Sequence, residues 1–134
     1  MALKDKPKAK MMAALGSIME PGEQIQAATM AMRGPSVWLV GGVIGALITK
    51  YYWVAVTDRR VVAVRMGKTG DSLFSDPRAS VKLVSATPHP LYSKLSIQRA
   101  DGTVLKFRVH RMWREEYDAL VAALGEAARP TFQA

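Results

Sequence analysis

The chain has 134 residues, no cysteine and a formal charge of +8. That length suits one domain with a core of its own, and the missing cysteine excludes disulfides and thiolate metal sites. The basic balance favours acidic partners, anionic lipid or nucleic acid.

Residues 1–10 read as a basic disordered tail, with Lys4, Lys6, Lys8 and Lys10 at every second position. Within 9–19, Met11, Met12, Leu15, Ile18 and Met19 fall at helical spacing, which predicts an amphipathic helix. Pro21 and Gly22 end it. The stretch 24–33 alternates Ile25, Ala27, Thr29 and Ala31 against Gln24, Gln26, Ala28, Met30 and Met32, a first strand. The early methionines either line an adaptable contact surface or fill the core.

Residues 37–48 carry no polar side chain. Ser36 is placed to cap a helix there; the rival is a hairpin turning at Gly41 and Gly42. A twelve-residue helix spans about 18 Å against a bilayer core of about 30 Å, too short to cross. The segment is therefore buried in protein, laid in a membrane interface, or paired with another copy.

From Tyr51 the pattern turns to strands. Thr57-Asp58 separates two runs rich in valine and aromatics, as a tight hairpin requires. Residues 67–78 are polar, with a short strand around Leu73 and Phe74. Val81, Leu83 and Ser85 alternate with Lys82, Val84 and Ala86, and Pro88-His89-Pro90 ends that strand. Asp101-Gly102 is the strongest hairpin signal, with Leu95, Ile97, Leu105, Phe107 and Val109 inward. Trp113, Tyr117, Leu120, Val121 and Leu124 then share one helix face. Arg114 and Asp118 are spaced to pair, and Gly125 sits where the helix would end.

This order of elements resembles the bacterial pleckstrin-homology-like domains. The likeness rests on Pro21-Gly22-Glu23 before the first strand, the segment from Val54 to Val61 with its Thr57-Asp58-Arg59-Arg60 turn, Ala100-Asp101-Gly102-Thr103 before the last strand, and the Trp113 to Leu124 helix. It implies an α+β fold: a seven-stranded bent barrel capped by a C-terminal helix, with an N-terminal helix and a Gly-rich apolar insertion before the second strand. The implied organisation is a tail 1–10, a domain 11–124 with its insert at 36–49, and a tail 125–134. It further implies an interaction or self-assembling module rather than an enzyme. Eukaryotic relatives that bind inositol phosphates use clustered Lys and Arg after the first strand, and between Arg33 and Lys50 this chain has none.

Catalysis is not expected. His89 and His110 have no motif neighbours, and no HExxH, GxSxG or phosphate-binding glycine loop is present. Gly67-Lys68-Thr69-Gly70 lacks the upstream glycine of a P-loop and reads as a turn. Glu115, Glu116 and Asp118 are expected on a solvated helix face. No metal or cofactor is expected, and Thr57 to Arg60 is read as a turn, not a site.

Two readings of function remain, with a third behind them. In the first, Val37, Trp38, Leu39, Val40, Gly41, Val43, Ile44, Gly45 and Leu47 meet the inner face of the cytoplasmic membrane, Arg33, Lys50 and the tail lysines meet anionic headgroups, and Tyr51, Tyr52 and Trp53 stand at the interface. With no small-x-small cleavage site after the basic start, a cytoplasmic protein is expected. In the second, the Gly41-x-x-x-Gly45 spacing packs the insert against further copies or a protein partner. The third is nucleic-acid binding by Arg65, Lys82, Lys94, Arg99, Lys106 and Arg108, for which Tyr92, expected alone in a loop, supplies too few aromatics.

Overall fold

The computed structural model describes residues 5–33, 50–66 and 72–128. The expected insert at 36–49, the turn at 67–70 and Lys4 lie outside the described residues.

Helix α1 (Asp5–Gly16) precedes strands β1 (Ile25–Arg33), β2 (Lys50–Thr57), β3 (Arg60–Arg65), β4 (Ser72–Pro77), β5 (Lys82–Thr87), β6 (Tyr92–Gln98) and β7 (Val104–His110), and helix α2 (Arg114–Ala128) follows. The seven strands form one antiparallel sheet in the order β4-β3-β2-β1-β7-β6-β5. The sheet is open, with β4 and β5 as its edges, where a barrel was expected. It is nonetheless strongly curved. Asp76 of β4 accepts a hydrogen bond from Arg99 Nε, just beyond β6, at 2.9 Å. In a flat sheet, strands five places apart would stand about 24 Å from each other.

β2 lies at the centre, and Tyr52 to Thr57 are all buried. Successive side chains leave opposite faces of a strand, so β2 serves two layers. The Tyr52 ring meets Phe107 edge-on at 6.3 Å, while Trp53 meets Trp113 at 6.1 Å. Trp113, Tyr117, Leu120 and Leu124 are buried as the helical period requires. Tyr117 donates its hydroxyl proton to the Lys94 carbonyl at 2.8 Å, fixing α2 to β6. The Asp101-Gly102 turn closes as predicted: Gly102 has φ +88°, and Asp101 Oδ1 accepts from the Thr103 amide at 2.9 Å.

Four boundaries differ from expectation. Residues 5–10, assigned to a tail, form the first turns of α1, which ends at Gly16 rather than Met19. Asp5 lies in the first turn, where it favours the helix dipole, and Pro7 costs little where amides lack intrahelical partners. Gly125, expected as a stop, is inside α2, which runs to Ala128; Arg78 steadies that last part by donating to the Ala123 carbonyl at 3.3 Å. β4 takes in all of Ser72–Pro77 rather than a fragment near Phe74. In β5 the pairing slips between Leu83 and Ser85, so Ala86 turns inward in place of Ser85, and Val84 is 53% exposed. A bulge reverses the alternation beyond it.

Five of the eight methionines, Met11, Met12, Met19, Met30 and Met32, lie between residues 11 and 32. Met11 and Met32 are buried, and Met19 and Met30 pack against the core. They fill space; only Met12 of these is exposed.

Candidate functional site

Two of the segments on which the resemblance rests, Pro21–Glu23 and the Thr57–Arg60 turn, meet in space. Glu20 to Glu23 form a tight turn closed by the Glu23 amide on the Glu20 carbonyl at 3.0 Å. Its Gly22 has φ +81°, as the third position of a Pro-Gly turn of this type requires. Glu23 is thereby delivered beneath the β2–β3 turn, where its carboxylate accepts from Thr57 Oγ1 at 2.7 Å and from Arg60 Nε and Nη2 at 2.8 and 3.0 Å. Thr57 Oγ1 in turn accepts from the amides of Arg59 and Arg60 at 3.1 and 2.9 Å. Asp58 Oδ1 accepts from the Gln24 amide at 3.0 Å. Arg60 also donates to the Ile18 carbonyl and to Ser75 Oγ, joining the segment after α1 to β4. The Arg60 guanidinium, outweighing the cost of burial, holds the Glu23 carboxyl down at about 2. The Arg60 guanidinium and the Thr57 hydroxyl at the centre of this cluster are spent on the protein itself. Thr57 to Arg60 therefore act as a structural knot, and the buried Glu23 that completes it is the residue sequence reasoning missed.

A different set of charges gathers where the chain leaves β1 and enters β2. Arg33 stands opposite Lys50, at the two roots of the 34–49 segment. Arg65 is paired with Tyr52 on the neighbouring strand, and Arg108 of β7 lies opposite Met32. The Arg33 guanidinium sits 6.0 Å above the Phe107 ring, within cation–π range. Tyr51 is 41% exposed beside these cations, but Tyr52 and Trp53, expected at an interface, belong to the core. The strand period explains this, since a central strand covered on both sides buries alternate residues of each face.

Of the remaining expected site residues, Lys6, Lys8 and Lys10 lie on α1 and are exposed, and Lys8 pairs with Glu116 at 3.5 Å. Glu116 is buried, against expectation, in the groove it shares with Lys8 of α1; Glu115 and Asp118 are exposed. An open groove of about 270 Å³ runs between α1, β1 and α2, lined by Met11, Met12, Ile25 and Glu115 among others. Val37, Trp38, Leu39, Val40, Gly41, Val43, Ile44, Gly45 and Leu47 lie outside the described residues.

Tyr92, expected in a loop, opens β6 and meets the His110 ring edge-on at 5.3 Å. Both histidines serve local turns: His110 Nδ1 accepts from the Met112 amide at 3.1 Å, and the His89 amide donates to Ser93 Oγ at 3.3 Å. Among the described residues no group of three or more His, Asp or Glu is placed to hold a metal, and no helix is long and apolar enough to cross a membrane. Comparison with protein-family models and with curated proteins gives no match.

Proposed function

We propose that this protein is a non-catalytic adaptor of pleckstrin-homology-like architecture that attaches to the inner face of the cytoplasmic membrane. The meander of seven strands followed by a helix supports the architecture. The observation that carries the attachment is the pairing of Arg33 with Lys50 at the roots of the apolar segment, with Arg65 and Arg108 close by. An apolar stretch of this length enters a bilayer only to interfacial depth, and cations around its base then lie level with anionic headgroups. Trp38, Leu39, Val40, Val43, Ile44 and Leu47 supply the inserted surface, and Tyr51 sits at the boundary, where aromatic rings with a polar tip are favoured.

Co-sedimentation with vesicles of phosphatidylserine and phosphatidylcholine tests this. Wild-type protein binds, and 1 M salt weakens binding as the Debye length falls to about 3 Å, without abolishing it. Trp38→Asp with Leu39→Asp abolishes it. Binding that survives both aspartates and vanishes in salt rules out insertion. A sedimentation profile that shifts to larger species in Gly41-intact protein but not in Gly41→Leu, with no vesicle binding, assigns the segment to self-assembly instead.

A further inference from the structure

The outward face of β5–β7 differs from the rest of the surface. Lys94 on β6 stands directly opposite Arg108 on β7, and Lys106 follows two residues from Arg108 on the same side, opposite Ser96. Lys82 on β5 is paired with Gln98, extending the row across a third strand. Lys82, Lys94 and Lys106 are exposed, while Leu95, Ile97, Leu105 and Phe107 between them point to the core. These three strands contain no Asp or Glu. Among the described residues no carboxylate pairs with Lys82, Lys94 or Lys106. The other side chains on this side include small hydroxyls, Ser85 and Thr87 of β5 and Ser96 of β6, which can donate to phosphate oxygens.

Exposed lysines on strands that contain no acid attract an anionic layer. We infer that this face is a docking surface for the phosphate layer of an anionic bilayer, so that the protein lies with β5–β7 broadside to the membrane. The inference rests on the attachment proposed above and specifies the orientation that attachment takes. Position supports it, because Arg108 is opposite Met32, close to the end of β1 where the apolar segment begins. Arg33 itself turns to the other face, over the Phe107 ring, so the outward row ends at Arg108 beside that root. A single-stranded nucleic acid is the less suited polyanion, since it needs ring faces on which bases stack. Tyr92 on this side is engaged edge-on with His110, and Phe107 is buried.

The test measures partitioning of wild type and Lys94→Gln/Lys106→Gln onto phosphatidylserine-containing and pure phosphatidylcholine vesicles at low salt, with a uridine oligonucleotide as a second ligand. Each lysine against an anionic surface is worth close to a factor of five, so the double variant should partition about 30-fold more weakly onto the anionic vesicles. Its melting curve should match wild type, as both positions are exposed. The chain lacks cysteine, so Ser85→Cys accepts a single environment-sensitive dye, which should shift on anionic vesicles and not on neutral ones. Equal partitioning of variant and wild type, with a silent dye, overturns the broadside orientation while leaving attachment intact. Failure of wild type to bind any vesicle removes both. Loss of oligonucleotide binding with unchanged vesicle binding reassigns the face to nucleic acid and overturns the inference.

Discussion

Charge is handled in opposite ways in two regions of this molecule. Around the β2–β3 turn and along the helices, several cations are tied to partners: Arg60 to Glu23, Arg59 to Glu20, Arg114 to Asp118, Lys8 to Glu116. Arg78 lies among Gln26 and the carbonyls of Thr57 and Ala123. On the outward side of β5–β7, by contrast, three lysines share a face whose strands contain no acid. Arg99 bridges the two, reaching from the end of β6 to Asp76 of β4. In the first region the buried Glu23–Arg60 pair is part of the architecture, and removing it destabilises the fold. In the second, charge is left available, and removing it should alter only what the surface meets.

The largest expected effect that separates the regions is structural. Trp113→Ala empties a fully buried site against Trp53 and should cost about 3–5 kcal/mol in a urea titration. An unchanged midpoint would mean that α2 does not dock where we describe it. Glu23→Ala comes next. It leaves Arg60 without its carboxylate and should lower stability by about 3 kcal/mol, since breaking a buried pair strands the remaining charge.

The same residue makes a pH prediction. The folded Glu23 carboxyl titrates at about 2, below its usual value of 4.5. A depressed folded value gives stability that is present above the unfolded value and lost as pH falls. Stability should therefore drop as pH is lowered from about 4.5 towards 2, and Glu23→Gln should flatten that window. A wild-type curve already flat there would remove the knot's electrostatic role. Gly102→Ala should cost about 1 kcal/mol, because its φ of +88° suits glycine alone. Smallest of all, Lys94→Gln/Lys106→Gln should shift stability by no more than about 0.5 kcal/mol. A loss of several kcal/mol there would erase the contrast between the regions.

Much of the fold could be read from sequence where local signals agreed. The β6–β7 hairpin is the clearest case: a turn that demands glycine, flanked by alternation that the structure keeps through Val109. α2 was readable for the same reason, its apolar residues holding one period from Trp113 to Leu124. What escaped was set by tertiary contact. The start of α1 looked like a tail because lysine and proline dominate it, yet Met11 and Leu15 anchor the whole helix on the core. The β5 bulge leaves no mark, since Val84 and Ser85 suit a strand in either register. The Glu23–Arg60 pair joins residues 37 positions apart, and no local pattern announces it. Its motif halves were noticed separately, and only the fold shows that they are one object. The cations of β5–β7 were visible individually; the ladder register reveals that they share a side with so little aromatic surface.

The slip in β5 bears on something other than burial. An open sheet offers two unpaired edges, and an edge strand is a template on which another chain can add by backbone hydrogen bonding. A strand laid along β5 would meet Lys82 first and then lose register between Leu83 and Ser85, before Pro88 ends the run altogether. At the opposite edge Pro77, the last residue of β4, has no amide to donate. Both edges are thus poor seeds for cross-chain stacking, so the protein can be concentrated at a surface without growing into fibrils from its rims.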